Sequence, residues 1–183
     1  MIIENGQYVL RQIGVEEVEW VRKMHNDPDI LKMLADPVPV TPARQKAWYA
    51  SLLKSKKSQR LIVVHDEKLV GLVRIDDLDL NNKSVCIGLD IHKKYRGKGH
   101  AVKIYNLLLD YFFEKAGMHR CWLFVADYNT IARYLYAKLG FQYEGRAREA
   151  LYRFGKFHDY HMMSILKNEY KPNKPALKTK KTL

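Results

Sequence analysis

Leu89-Asp90-Ile91-His92-Lys93-Lys94-Tyr95-Arg96-Gly97-Lys98-Gly99-His100-Ala101 is the stretch that decides the fold. An apolar strand, Ser84 to Ile91, runs into a basic glycine turn, and a long helix follows. Ala101, Ile104, Tyr105, Leu108, Tyr111 and Phe112 recur at helical spacing up to Gly117. Glycines let a backbone approach a ligand closely, and exposed N–H groups at the positive end of a helix dipole favour phosphate. Arg96, Lys98, Lys93 and Lys94 add positive charge. Chemically this is a pyrophosphate cradle. It is not a mononucleotide P-loop, which needs a Gly-Lys-Ser/Thr ending. Nor is it the dinucleotide fingerprint, whose third glycine and later acidic residue are missing.

Working outward, strand and helix signals alternate. Upstream, Gln7 to Ile13 reads as a first strand, and Val15 to Met24 carries apolar residues at helical spacing. Asn26-Asp27-Pro28 is a breaker and cap. A helix over Pro42 to Leu53 opens on Thr41 as N-cap with proline at its first position. Leu61–His65, Leu69–Ile75 and Ser84–Ile91 read as a three-strand meander with turns at Asp66-Glu67-Lys68 and Asn81-Asn82. Downstream, Cys121 to Val125 is a buried strand. Asn129 to Leu139 is a helix stopped by Gly140, and two strands, Phe141 to Phe154 and Phe157 to Leu166, meet near Gly155. The sum is an α/β (α+β) chain with a mixed sheet of about seven strands and helices on both faces.

A second motif stands about thirty residues beyond the glycine turn: Asn129-x-x-Ala132-x-x-x-Tyr136-x-x-x-Gly140-Phe141. Asn129 can cap its helix. Ala132 and Tyr136 share a helix face. Small Ala132 would let a ligand lie against the helix, with the Tyr136 hydroxyl presented to it. In isolation, Tyr136 reads as an ordinary packed tyrosine.

Composition narrows the partners. The chain has 183 residues, 47% hydrophobic and 28% charged, which excludes disorder as its main state. Its formal net charge is +12. The stretch 167–183 holds six lysines against Glu169 and contributes +5 of that. It reads as a solvated, mobile tail behind a single domain over 1–166, and the body remains basic at +7. Two cysteines, Cys86 and Cys121, are too few for a disulfide framework and fit reduced core thiols in a cytoplasm. No signal peptide and no membrane span is expected. His158-Asp159-x-His161 is the nearest approach to a metal pattern. Its histidines face opposite sides of a strand, so no metal is expected.

Taken together, Arg96-x-x-Gly99-x-Ala101 and Asn129…Ala132…Tyr136…Gly140-Phe141 resemble the GNAT N-acetyltransferase superfamily, in matching element order from about Tyr8 to Leu166. Glu144-Gly145 and Gly155-Lys156-Phe157-His158-Asp159 resemble its branch of ribosomal-protein alanine, spermidine and amino-sugar acetyltransferases. His25-Asn26-Asp27-Pro28, Met33 and Trp48 look most like enzymes acting on nucleotide-linked amino sugars, although those often carry Arg-Asn where this chain has His25-Asn26. The resemblance implies a sheet splayed into a V between the strands near Leu89–Ile91 and Cys121–Val125. Acetyl-CoA would lie in that V. Its pyrophosphate would rest on backbone N–H groups of Arg96, Gly97, Lys98, Gly99, His100 and Ala101. Leu89 and Ile91 would hold the pantetheine, and Asn129 and Ala132 would contact the cofactor. Transfer would be direct, with Tyr136 as the acid that protonates the departing thiolate.

The attacking amine must be neutral, so a base or a water chain has to remove its proton. Many relatives place a glutamate where this chain has Phe124. That leaves Asp90, His92, Asp127, Glu149, His25 or a water relay. The expected acceptor is a small-molecule amine, phosphorylated in the first reading, such as a nucleotide-linked amino sugar. A protein N-terminus is second, and polyamines, disfavoured by the basic body, are third. A non-catalytic nucleic-acid module is the competing class. A homodimer is compatible with all of these.

Overall fold

The computed structural model describes residues 2–172. Eight strands form one sheet: β1 (Ile2–Asn5), β2 (Tyr8–Gln12), β3 (Gln59–His65), β4 (Lys68–Asp79), β5 (Ser84–Ile91), β6 (Arg120–Ala126), β7 (Gln142–Arg153) and β8 (Lys156–Leu166). Their order is β1-β2-β3-β4-β5-β6-β8-β7, and only the β5–β6 pair is parallel. The strand beyond the seven expected is β1, a short edge strand that folds back on β2 through Gly6.

The helices are α1 (Val18–His25), α2 (Pro28–Leu31), α3 (Pro42–Lys54), α4 (His100–Asp110) and α5 (Thr130–Lys138). Strand alternation divides the core. On β3, Leu61 and Val63 join one buried cluster with Ile104, Leu108 and Phe112 of the α4 region, while Ile62 joins another with Val21 and Met24 of α1. Successive strand residues point to opposite faces, so both faces of the sheet carry helices. The expected caps form: the Thr41 hydroxyl accepts from the Arg44 N–H at 3.3 Å, and the Asn129 side chain accepts from the Ala132 N–H at 3.2 Å. The long helix expected up to Gly117 changes character. Its α-helical ladder stops at Asp110, and Tyr111–Lys115 winds on as a π-turn.

One interruption of the sheet creates the site. β5 and β6 pair only at Ser84 with Arg120, Val85 with Cys121 and Cys86 with Trp122. Beyond that point β5 stays with β4 as far as Ile91, and β6 stays with β8 as far as Ala126. The two strands part, as the V expected from the family resemblance requires.

The tail boundary shifts. Tyr170 packs on Phe113, with ring centroids 5.2 Å apart, and its hydroxyl donates to Asp110 at 2.7 Å. The Lys167 ammonium donates to the Phe113 carbonyl at 2.8 Å. Residues 167–170 therefore belong to the folded body, because Tyr170 is a large apolar ring with a polar tip to satisfy. The remainder of the expected mobile tail, from 173, lies outside the described residues. No helix among the described residues is long and apolar enough to cross a membrane.

Candidate active site

The parted strands open a cleft of about 430 Å³. Leu89, Asp90 and Ile91 form one bank and Phe124, Val125 and Ala126 the other. Arg96 and Ala101 border it at the glycine turn, and Asn129, Ala132 and Tyr136 border it from α5. Eight of the twelve residues singled out in the sequence thus converge on one cavity. The other four, Gly97, Lys98, Gly99 and His100, lie in the turn between Arg96 and Ala101.

That turn leaves its backbone N–H groups open. Gly97 and Gly99 have φ of +74° and +79°, a region that costs other residues about 1–2 kcal/mol. Neither would clash with an added Cβ, so backbone conformation, not space, demands glycine there. The N–H groups of Gly97, Lys98 and Gly99 meet no backbone acceptor among the described residues, and α4 begins immediately after them. Free N–H groups at a helix N-terminus suit a pyrophosphate. The Arg96 side chain is otherwise engaged. Its Nε donates to the Ile91 carbonyl at 2.9 Å, and its Nη1 lies 3.4 Å from Asp29. Arg96 therefore fixes the turn to β5 and α2 through its side chain. His100 opens α4, and its Nδ1 is hydrogen-bonded to the Tyr8 hydroxyl at 2.6 Å. Burial and the neighbouring His65 hold its pKa down.

Tyr136 is buried in the wall of the cleft. Tyr105, read in the sequence only as part of an apolar helix face, donates to its hydroxyl at 3.3 Å. Burial raises the Tyr136 pKa, and the Tyr105 hydrogen bond and the Arg74 charge both oppose that rise. A proton donor with this surrounding stays protonated at neutral pH, yet its anion is supported when the proton leaves. Arg74 also escaped the sequence reading, because only strand register brings it here. It pairs directly with Gly88 across β4 and β5, and its Nε lies 3.2 Å from the Asp90 carboxylate.

A second cleft, of about 370 Å³, shares Ile30, Leu34, Ala35, Arg74 and Asp90 with the first. His25, Arg44, Trp48 and Arg60 complete much of its wall, and Asp36 and Asp90 are its carboxylates. The two clefts thus meet at the Arg74–Asp90 pair. The wall segment after α2 is pinned by residues that follow β6 and end β7. The Tyr128 hydroxyl donates to the Lys32 carbonyl at 2.6 Å, and Arg153 Nη2 donates to the Leu34 and Ala35 carbonyls at 2.8 Å.

The base candidates separate by position. Phe124 lines the first cleft and stacks on Tyr160 at 4.9 Å, so this bank offers a ring where many relatives offer a carboxylate. Asp90 is in place but committed to Arg74. His25 lies in the second cleft. Asp127 instead holds the buried His158 at 2.8 Å, and Glu149 sits at a bulge of β7 beside Arg146 and Arg148. His92 stacks near Trp20 and lines neither cleft. Burial pushes the Cys86 thiol up to about 12 and that of Cys121 up as well, which keeps both unreactive. Among the described residues no group of three metal-ligating side chains occurs.

Comparison with known proteins bears on the same elements. A family model described as "Acetyltransferase (GNAT) domain" matches residues 7–142. The chain belongs to the GNAT acetyltransferase family. Acetyl-CoA is the acetyl donor of that family, and the glycine turn and parted strands fit it on their own geometry. This GNAT domain is 26% identical over 167 residues to spermidine N(1)-acetyltransferase of Vibrio cholerae, covering 91% of this chain and 96% of that one. It is 33% identical over 112 residues to a Bacillus subtilis protein named "Putative ribosomal N-acetyltransferase YdaF", covering 61% of each. The crystal structure of the Vibrio cholerae enzyme in complex with CoA and spermine superposes with a TM-score of 0.84, at 26% identity over 91% of this chain and 99% of that one. None of these three is named for an amino-sugar acceptor. The Vibrio cholerae enzyme is named for spermidine, a polyamine, the class that the sequence reading ranked third.

Proposed function

We propose that this GNAT enzyme moves the acetyl group of acetyl-CoA directly onto a primary amine, with the donor in the cleft between β5 and β6 and the acceptor entering through the second cleft. One observation carries the reading: two cavities, one lined by the glycine turn and Tyr136 and one by α1–α3, meet at the Arg74–Asp90 pair. In this scheme Gly97 to Ala101 hold the pyrophosphate with backbone N–H groups. Leu89 and Ile91 hold the pantetheine arm, and Asn129 and Ala132 form the face of α5 against which it lies. Tyr136 gives its proton to the departing thiolate, and Tyr105 stabilises the phenolate left behind. Asp90 orients Arg74, and water carries the amine proton out, because both carboxylates that border the donor cleft are ion-paired, Asp90 with Arg74 and Asp29 with Lys32 and Arg96.

A polyamine is the acceptor that the named relatives support. A second reading, an amine carried by an anionic molecule such as a nucleotide-linked sugar, draws on the lining. Arg44, Arg60 and Arg74 outnumber Asp36 and Asp90, and such a wall repels a second ammonium group. Coenzyme A release measured with spermidine, a nucleotide-linked amino sugar and an N-terminal peptide tests both. Turnover of spermidine supports the first. Turnover of the amino sugar alone supports the second. Release with none of the three, nor with other primary amines, overturns the acetyltransfer reading.

A further inference from the structure

Arg60, Arg74 and Gly88 lie abreast on β3, β4 and β5, paired residue to residue. Two guanidinium groups side by side on adjacent strands repel each other. Each has its own carboxylate: Arg60 donates to Asp76 at 2.9 Å, and Arg74 lies 3.2 Å from Asp90. Arg60 lines only the acceptor cleft, but Arg74 lines both.

Gly88 explains how Arg74 reaches that junction. A Cβ at position 88 would stand 2.9 Å from Arg74 Nη2 and 3.1 Å from its Cζ and Nε. The guanidinium therefore lies flat across the β5 backbone, in the one place where that strand has no side chain. Its Nε is buried with no well-aligned hydrogen-bond acceptor, despite the proximity of Asp90. The groups that face it come from every surrounding element: Asp90 on β5, Tyr105 on α4, Tyr136 on α5 and Tyr160 on β8. At the Tyr136 hydroxyl, the pull of Arg74 on a negative charge exceeds the push of Asp90. Asp90 thus fixes the guanidinium without cancelling its field.

We propose that Arg74 is a further catalytic residue, a fixed cation that stabilises the negative charge on the sulfur as coenzyme A departs. The proposal rests on the reading that acetyl-CoA occupies the cleft between β5 and β6. As the amine nitrogen bonds to the acetyl carbon, the carbon–sulfur bond breaks and its electron pair stays on sulfur. Tyr136 then transfers its proton to that sulfur, and the charge moves to the phenolate beside the same guanidinium. The proton lost by the nitrogen leaves through water, and water restores a proton to Tyr136. Arg74 serves both anions from one position and never changes its own protonation state.

Free coenzyme A binds without any acceptor, so its thiol reports this charge directly. The thiolate absorbance of the bound coenzyme is followed against pH, with the complex of its S-methyl analogue as blank to remove the protein's tyrosines. In the wild-type protein the thiol should ionise about one pH unit lower than in Arg74→Met, the low end of what a nearby opposite charge produces. Arg74→Lys should recover part of the shift, which a merely structural role would not do. Gly88→Ala, which keeps the charge but displaces it, should give an intermediate value and serves if Arg74→Met does not fold. Coenzyme A binding with the same titration in every variant overturns the role of Arg74. Failure of the wild-type protein to bind coenzyme A overturns the cofactor reading beneath it.

Discussion

Tyr105 and Tyr136, on neighbouring helices, meet hydroxyl to hydroxyl at 3.3 Å, with Tyr105 as donor. The direction matters, because it leaves the Tyr136 proton free for the cleft. Tyr136→Phe is expected to lower kcat by about 100-fold, the low end of what a positioned acid contributes, with acetyl-CoA affinity unchanged. Tyr105→Phe should cost less, about 10-fold, since it removes support for the phenolate and not the proton itself. Steady-state kinetics with calorimetric binding separates these outcomes, and an unaltered kcat in Tyr136→Phe would remove the acid role.

Gly99→Glu places a strained backbone and a negative charge where the pyrophosphate is expected to rest. Acetyl-CoA should bind about 10-fold more weakly, because the glutamate charge repels the pyrophosphate and the turn, strained by about 1–2 kcal/mol, shifts out of place. Gly97→Ala, at the other positive-φ position, should show the conformational part without the charge. Titration calorimetry checks both.

Arg153→Ala removes the donor that fastens the Leu34 and Ala35 carbonyls. Those residues wall both clefts, yet Arg153 itself borders neither. The expected result is a rise of about 10-fold in acceptor KM with a smaller change in kcat. An equal loss of acetyl-CoA affinity would mean that the segment supports the donor cleft instead.

Glu144 gives a pH signature of folding. The hydrogen bond from Arg120 is the main cause that brings its pKa from an ordinary 4.5 down to about 2. A depressed carboxylate contributes stability that is fully present above the unfolded value and is lost as pH falls through the folded one. Wild-type and Glu144→Gln proteins should therefore differ in Tm above about pH 4.5 and converge towards about pH 2. The pair is partly exposed, which limits the difference to a few degrees. Thermal melts across that range are the measurement.

Much of this arrangement was legible in the residues because local signals and tertiary structure agree. Ser84–Ile91 reads as a strand and is one, over the same residues. Thr41 and Asn129 read as caps and act as caps. Where packing alone decides, the sequence was silent. Ile2–Asn5 has too few apolar positions to signal an edge strand, and only its partner β2 gives it order. Tyr105 sits on a helix face whose spacing says core, and its hydroxyl finds Tyr136 through the meeting of two helices 31 residues apart. Arg74 and Gly88 are 14 positions apart and become neighbours only through the register of β4 and β5. Tyr170 was hidden in a lysine-rich stretch whose average composition masked one anchoring ring.

The three residue pairs that join β5 to β6 act as a zipper stop. Each further pair would move the closed end about 3.3 Å along the strands. Extending the ladder from Cys86–Trp122 to Gly88–Phe124 would seal the innermost part of the slot. The working width of this enzyme is therefore set by hydrogen bonds that are not made. Substitutions at the stop would tune the chamber as a drawstring tunes the mouth of a bag.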